Sequence, residues 1–407
     1  MRTRSCCVAA ALVCLSRLAA AQTVLSEADA LARLSTESPR VRAIQAAVDV
    51  ARADALAAGR WPNPRVTFNR ESVAGVTEKM FLVTVPLSVT GRRDFDMSAA
   101  SALVVASERR AEEDMRQVRA ALRSAYADLV SAQVREAEIA ASRDRMRGLA
   151  EILARREAAG EAAGYDRLRA EREVMDLEAD GAAARADRAR AQSALAAFFA
   201  PSHEVTTLVA VVPSPSAKVA LPGIDELVAH AEITLPEIAA LKQEIESADF
   251  AIRSADRRPI PEPEIVVGTK SSNLAGGDVG SVFSVHASVP LFDRAKPEQA
   301  LAQARRAQAE ARVAALRASL RAQFLALHAI VGERRQAADG YRASMAASAN
   351  QLERIAQISY DAGERSILEL LDAYRSSGSA RTRQVQLDAA ARQAELELER
   401  VSGWEIR

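Results

Sequence analysis

The chain has 407 residues, enough for two or three ordinary domains or for two similar halves of one architecture. Its 54 basic residues equal its 54 acidic ones and are interleaved with them, which argues against a nucleic-acid-binding protein. Only 4% of the residues are aromatic, whereas Ala, Arg, Glu, Leu and Gln are frequent. This composition favours long helices with close-packed small-residue seams over a compact globular core.

Residues 1–21 have the pattern of a secretory signal peptide. Arg2 and Arg4 supply the positive start, residues 8–15 the short apolar segment, and residues 19–21 a small-residue cleavage site. We therefore predict an exported mature chain without disulfides, because all three cysteines lie inside this segment. These are Cys6, Cys7 and Cys14. A lipid anchor on the last of them is disfavoured, because the residues before it are not small.

Residues 22–206 are predicted to form a first structural repeat that opens with a helix and a β-hairpin. Residues 25–59 have a continuous helical pattern, and the prolines within residues 60–64 end it. The hairpin spans residues 65–89, with a turn at Ala74-Gly75. Its two strand-like runs are residues 65–73 and 79–89.

A very long helical hairpin follows in the same repeat. No proline and one internal glycine occur between about residues 95 and 157. This predicts a helix of roughly 60 residues and, at 1.5 Å per residue, on the order of 90 Å. After a tip near residues 158–166, a shorter helix is predicted over residues 165–199. Residues 207–223, rich in Val, Pro and Ser, indicate a linker with one short strand.

Residues 224–407 are predicted to repeat this plan. The second half has a β-hairpin at residues 264–291 and a helical tip near residues 360–366. Anchors recur in the same order in both halves: Pro62 with Pro259, Pro64 with Pro261, Val85-Pro86-Leu87 with Val289-Pro290-Leu291, and Gly160-Glu161 with Gly363-Glu364.

The helical pattern of residues 301–331 has two stripes at spacings of three and four. The bulky stripe consists of Val313, Leu316, Leu320, Phe324, Leu327 and Val331. The small-residue stripe consists of Ala304, Ala311, Ala315, Ala318, Ala322 and Ala329. Two stripes indicate two neighbouring helices, as in the wall of a helical tube, whereas a single antiparallel coiled-coil pair would need only one.

The two hairpins supply four strands, which cannot close a barrel. In hydrocarbon an open sheet edge leaves backbone groups unpaired, at a cost of about a few kcal/mol each. If the strands enter a membrane, several copies must therefore share one wall. Small cyclic assemblies would have about 8, 12 or 16 strands, and only about 12 or more leave a wide lumen.

The second helical tip carries the most specific motif of the chain. Gly363 can adopt the left-handed conformation that ends a helix, and Ser366 is a good N-cap residue for the next one. The motif reads Tyr360-x-x-Gly363-x-Arg365-Ser366-x-x-Glu369-x-Leu371-Asp372-Ala373. Together with the leader and the duplicated plan, it resembles the TolC family of outer membrane efflux proteins. By length and compact strand loops the chain is most similar to the subgroup associated with cobalt-zinc-cadmium export.

The resemblance implies a mainly α fold with a small β part. In such a protein a long α-helical barrel continues a transmembrane β-barrel, to which each chain of a homotrimer contributes four of 12 strands. It also implies a passive exit duct that sits in the outer membrane, contacts its lipid and extends into the periplasm. Its expected partners are a periplasmic adaptor protein and an inner-membrane pump, expected to be proton-driven. No cofactor is implied.

The same resemblance assigns roles to residues of the tips. Tyr360 and Arg365 match the pair that closes the tunnel by bonding to an acidic residue on the other hairpin, which Asp166 matches. This gate could be opened by breaking a charge-assisted link. An ordinary surface arginine and an aspartate in the first turn of a helix remain the simpler reading.

Two further sets of tip residues have expected roles. Glu369 and Asp372 match the acidic positions that line the pore constriction, where symmetry would make each a ring of carboxylates. They could equally complement a helix dipole. The expected adaptor-docking residues are Gly160, Gly363 and Glu364.

Nothing in the sequence predicts an enzyme. The four histidines lack metal-ligand spacing, and no catalytic constellation is present. They are His203, His230, His286 and His328. A secreted periplasmic scaffold or adaptor with soluble hairpins is the alternative function. The exported substrate is open, with heavy-metal ions first and organic drugs second.

Overall fold

A computed structural model describes residues 23–34, 38–160, 164–199, 208–213, 219–274 and 277–406. The predicted signal peptide, part of the predicted linker, Glu161 and His203 lie outside these residues. None of the described helices combines the length and the apolar character needed to cross a lipid bilayer.

The described residues form eight helices and six strands, most of which lie where the sequence predicts them. In chain order they are β1 (Thr23–Leu25), α1 (Glu27–Ala32), α2 (Pro39–Ala58), β2 (Arg65–Val73), β3 (Val76–Pro86), α3 (Arg92–Ala158), α4 (Gly164–Ala196), β4 (Leu208–Ala210), α5 (Ile224–Thr234), α6 (Pro236–Arg257), β5 (Pro263–Ser272), β6 (Val279–Ala287), α7 (Lys296–Asp361) and α8 (Ile367–Ser402).

The long helices confirm the predicted helical hairpins. α3 has 67 residues and α7 has 66, about 100 Å each at 1.5 Å per residue. Their returning partners are about half as long, with 33 residues in α4 and 36 in α8. The order helix, two strands, long helix and shorter helix thus occurs twice. The internal repeat itself stays a prediction.

The predicted continuous helix over residues 25–59 is wrong. Leu25 instead pairs with Ala210 in a parallel β1–β4 ladder. Ser26 then starts α1 through a capping box with Asp29, whose backbone N–H donates to the Ser26 Oγ over 3.1 Å. Pro39 begins α2 at its first position, where a proline costs no helical hydrogen bond.

The chain divides into two compact units, and each takes part of α3, α7 and α8. The first unit comprises the described residues of Met1–Arg33, Ala125–Ser214 and Leu352–Thr382. In it the Tyr126 hydroxyl lies 3.0 Å and 2.9 Å from the carbonyl oxygens of Leu25 and Val211. These contacts hold α3 against β1 and the residue that follows β4.

The second unit contains the sheet and the larger helical core. This core includes Leu227 and Ile238 of α5 and α6, Phe324 and Val331 of α7, and Leu398 of α8, each at most 1% exposed. In the predicted bulky stripe of α7, four side chains are buried and two partly buried. The predicted small-residue stripe is exposed along its whole length in the single chain.

The four-stranded sheet of the second unit is antiparallel throughout, in the order β2-β3-β5-β6. Ala74 and Gly75 form a two-residue turn with positive φ at both, 49° and 87°, which pairs Val73 directly with Val76. β3 therefore starts three residues earlier than predicted. Among the described residues, β2 and β6 each lack a partner on their outer edge.

Candidate functional site

The helical tips form one packed cluster in the first unit. The ends of α3 and α7 and the starts of α4 and α8 meet around buried side chains that include Leu153, Ala170 and Leu370, each at most 1% exposed. Tyr360 and Tyr374 pack against this cluster and are partly buried. Burial raises the pKa of Tyr374, and its hydroxyl donates to the Gln357 Oε1 over 2.6 Å. The turns at the helical tips are thus held in place by this buried cluster.

Gly363 ends α7 in a Schellman motif. Its φ is +74°, its N–H donates to the Tyr360 carbonyl over 3.0 Å, and the Glu364 N–H donates to the Ser359 carbonyl over 2.9 Å. Gly160 has φ +76° at the end of α3, where its N–H donates to the Glu157 carbonyl over 2.9 Å. A Cβ at either glycine would meet no atom within 4 Å, so only the backbone conformation requires glycine.

The three predicted gate residues are not bonded to one another in the single chain. Arg156 donates to the Tyr360 hydroxyl over 3.0 Å and lies over its ring, 5.1 Å from the centroid. Arg365 forms an ion pair with Glu369 one helical turn later. Asp166 is half-buried in the first turn of α4. The gate assignment therefore stays a prediction about the assembled protein.

The two predicted constriction residues lie on the exposed side of α8. Glu369 and Asp372 are exposed, whereas Leu370 and Leu371 between them are 0% and 4% exposed. Because Leu370 and Leu371 pack into the buried cluster, the two carboxylates lie on the solvent-exposed side of the helix. Arg365 offsets the charge of Glu369, so the residue assigned to the gate also screens the residue assigned to the pore.

Ion pairs between helices fasten the tip region. The Glu353 carboxylate of α7 lies 3.7 Å from the Arg145 Nε of α3 and 3.2 Å from the Arg381 Nη2 of α8. Arg167 bridges Glu157 and Glu171 over 2.5 Å and 2.8 Å. Sequence reasoning missed the Glu353 hub and the contact of Arg156 with Tyr360, because the partners are far apart in the chain. The four-residue spacings of Arg167 with Glu171 and of Arg365 with Glu369 are the local signals that a sequence can show.

The sheet has two faces of opposite character. Strand register places an apolar set on one side: Val66 and Phe68 of β2, Phe81, Val83 and Val85 of β3, Ile265 and Val267 of β5, and Phe283 and Val285 of β6. We call this side the apolar face. It is strongly exposed, with Phe68 at 64% and Phe283 at 72%. A soluble sheet would bury such a face.

The opposite side of the sheet, the polar face, is the more covered one. It carries Asn69, Glu78, Lys270, Ser284 and His286, and the Lys270 ammonium lies 2.7 Å from the Glu78 carboxylate. Gly268 lies on this face, where a Cβ would come within 2.0 Å of the Phe81 carbonyl oxygen. The more exposed face of the sheet is therefore the more apolar one, the reverse of a water-soluble sandwich.

Comparisons with known proteins agree with this arrangement. Residues 227–404 match the family described as outer membrane efflux protein. The second half of the chain is therefore similar to the outer membrane efflux protein family. It is 25% identical over 352 residues to the cobalt-zinc-cadmium resistance protein CzcC of Cupriavidus metallidurans, covering 84% of this chain and 81% of that protein. The predicted resemblance to the TolC family is confirmed.

Solved structures show the same fold. A membrane protein from Pseudomonas aeruginosa superposes with a TM-score of 0.76 at 20% identity, covering 93% of this chain and 92% of that one. The MtrE outer membrane channel of Neisseria gonorrhoeae superposes with a TM-score of 0.72 at 16% identity, covering 94% and 89%. The predicted fold class, a mainly helical chain with a small four-stranded part, is confirmed.

The predicted location in the outer membrane, with helices extending into the periplasm, is supported by these similar proteins. Proteins of this family are passive efflux channels rather than enzymes. Among the described residues, no group of three His, Cys, Asp or Glu side chains is placed to hold a metal ion.

Proposed function

We propose that this chain is one of three identical subunits of an outer-membrane exit duct in a tripartite efflux system. An inner-membrane pump supplies the energy, and a periplasmic adaptor joins the pump to the duct. The chain itself conducts substrates passively. Family channels are trimeric and work with such partners, which supports this assembly.

The observation that carries the proposal is the exposed apolar face. It is formed by side chains from all four strands. Two of them, Val285 and Phe283, are 58% and 72% exposed. Burial of apolar surface in hydrocarbon stabilises such an arrangement by about 25 cal/mol per Å². Lipid is therefore the environment in which this sheet is stable.

The open edges of the sheet require several copies to share one closed wall. β2 and β6 each offer an unpaired edge, and unpaired backbone groups in lipid cost about several kcal/mol each. Joining β2 of one copy to β6 of the next satisfies both edges. Three copies supply the 12 strands implied by the family resemblance, which leave a lumen lined by the polar face.

Heavy-metal cations are the proposed substrate class. The relative from Cupriavidus metallidurans is named for cobalt-zinc-cadmium resistance, and it spans most of this chain. Exposed Glu369 and Asp372 would form two carboxylate rings under threefold symmetry, which favours cations over anions. Organic drugs are the second candidate.

The tips are the proposed gate and docking surface. Tyr360 and Arg365 would exchange their present partners for Asp166 when copies come together, which closes the tunnel. Gly160, Gly363 and Glu364 lie at the turns, where an adaptor would meet them.

A charge on the apolar face tests the proposal. Phe283→Arg places a cation on this face at the middle of β6, at a cost of about 2–4 kcal/mol in the bilayer. We expect heat-modifiable trimers in the outer-membrane fraction to be lost. Ser284→Arg, on the polar face of the same strand, is the matched control and keeps them.

Normal amounts of Phe283→Arg trimers in the outer membrane would contradict the proposed duct. A wild-type protein recovered as a soluble monomer would favour the alternative, a periplasmic scaffold or adaptor. That alternative leaves the exposed apolar face with nothing to cover it.

A further inference from the structure

The apolar face of the sheet carries only two charged side chains, and both are cations. Arg70 of β2 and Lys79 of β3 are directly opposite each other in the antiparallel register, and both are exposed. The neighbouring carboxylates Glu71 and Glu78 point to the polar face, because side chains alternate along a strand. The apolar face therefore has an isolated positive pair.

Like charges directly opposite on neighbouring strands destabilise a sheet. A cation on an edge strand can be explained as protection against edge-to-edge pairing, and this would account for Arg70 on β2. It does not account for Lys79, because β3 lies inside the sheet between β2 and β5. The pair needs an anion to offset its repulsion, and the sheet offers none on this face.

The surroundings of the pair fit one class of ligand. In the next register row on the same face, Phe68 is paired with Phe81. In the row of the cations, Ser271 is the cross-strand partner of Lys79 and adds a hydroxyl. Two cations and a hydroxyl bordering an aromatic surface fit a phosphate group attached to acyl chains.

The position of the pair identifies the leaflet. α2, α3, α6 and α7 all join the sheet at one end, and the turn at Ala74-Gly75 closes the other end. Arg70 lies three residues before the end of β2, about 10 Å from the turn at 3.3 Å per residue. Because the helices extend into the periplasm, the turn faces the cell exterior, and the pair lies at the outer leaflet.

We propose that Arg70 and Lys79 form a binding site for the phosphate of the acylated glycolipid of the outer leaflet. The site rests on the proposed function, since it requires the apolar face to contact lipid. Phe68 and Phe81 contact the acyl chains, while Ser271 donates to a phosphate oxygen. In a trimer the site occurs once per copy.

Lipid binding to the intact, detergent-purified protein tests the site. Lipid A, dephosphorylated lipid A and phosphatidylglycerol are titrated against wild type and Arg70→Gln/Lys79→Gln, with bound lipid counted by native mass spectrometry. We expect the double variant to bind lipid A on the order of twentyfold more weakly. Arg65→Gln/Lys270→Gln, with the same charge loss on the polar face, should bind it like wild type.

Three results would overturn the site: unchanged lipid A affinity in Arg70→Gln/Lys79→Gln, equal wild-type affinity for the dephosphorylated lipid, or equal and equally pair-dependent binding of phosphatidylglycerol. If the double variant does not assemble, Lys79→Gln alone is titrated, and a loss of about fivefold is expected. Wild-type affinity in that variant would overturn the site. Outer-membrane fractionation of the wild type separates the two proposals. Absence from the outer membrane would overturn both, whereas presence there with unchanged lipid A affinity in the double variant would overturn the site alone.

Discussion

At the residue scale, Glu399 of α8 shows how the second unit holds a buried charge. Its side chain is 4% exposed and forms an ion pair with Arg123 of α3, which is 11% exposed. The Glu399 Oε1 also accepts the Ile406 N–H over 3.2 Å. Burial raises the pKa of Glu399, and the nearby Arg123 and Arg392 oppose this shift. One carboxylate thus ties α8, α3 and the C-terminal residues together.

Removing this carboxylate should cost more than a surface ion pair would. Glu399→Ala removes the carboxylate that forms the ion pair with the largely buried Arg123, and we expect the free energy of unfolding to fall by about 3–5 kcal/mol. Denaturant unfolding of the detergent-purified protein measures this. Replacing both partners by apolar residues, as in Glu399→Leu/Arg123→Met, should restore most of the loss. Wild-type stability of Glu399→Ala would show that the pair contributes little.

At the element scale, a glycine that ends a helix and a glycine inside a helix should respond differently to substitution by alanine. Gly363→Ala forces an L side chain into the left-handed region and should destabilise the protein by about 1–2 kcal/mol, although its Cβ meets no atom. Gly340→Ala is the matched control, because Gly340 lies inside α7 with equally open space. It should stabilise by about 0.5–1 kcal/mol. Thermal unfolding of both variants compares them, and equal shifts would contradict the conformational argument.

The sequence predicts whether an element is a helix or a strand where a long uninterrupted helical pattern or a turn residue specifies it. The proline-free stretch before Gly160 predicted α3, and Ala74-Gly75 predicted the hairpin turn. β1 could not be predicted, because a three-residue strand is stabilised by a partner near Ala210, far along the chain. For the same reason the contact of Tyr360 with Arg156 was missed, although the tip motif predicts Tyr360 as a gate residue.

At the scale of the whole molecule, several surfaces of the single chain are incomplete. The apolar face is exposed, the outer edges of β2 and β6 are unpaired among the described residues, and the small-residue stripe of α7 is uncovered. In the proposed assembly, lipid would cover the apolar face, and neighbouring copies would cover the strand edges and the small-residue stripe. In this assembly the proposed closure of the tunnel would depend on neighbouring copies, which agrees with the other partners that Tyr360 and Arg365 have in the single chain.

The last prediction concerns Arg365, which belongs to both the proposed gate and the proposed constriction. Arg365→Ser removes the link that would hold the tips closed, and it also uncovers Glu369, the carboxylate with which Arg365 is now paired. Single-channel conductance in planar bilayers should therefore increase, and the reversal potential in a salt gradient should shift toward cation selectivity. Arg354→Ser, an exposed arginine of α7 with the same charge change, is the matched control and should leave both unchanged. An Arg365→Ser channel with wild-type conductance would exclude Arg365 from the gate, and a shift in selectivity alone would assign it to the constriction.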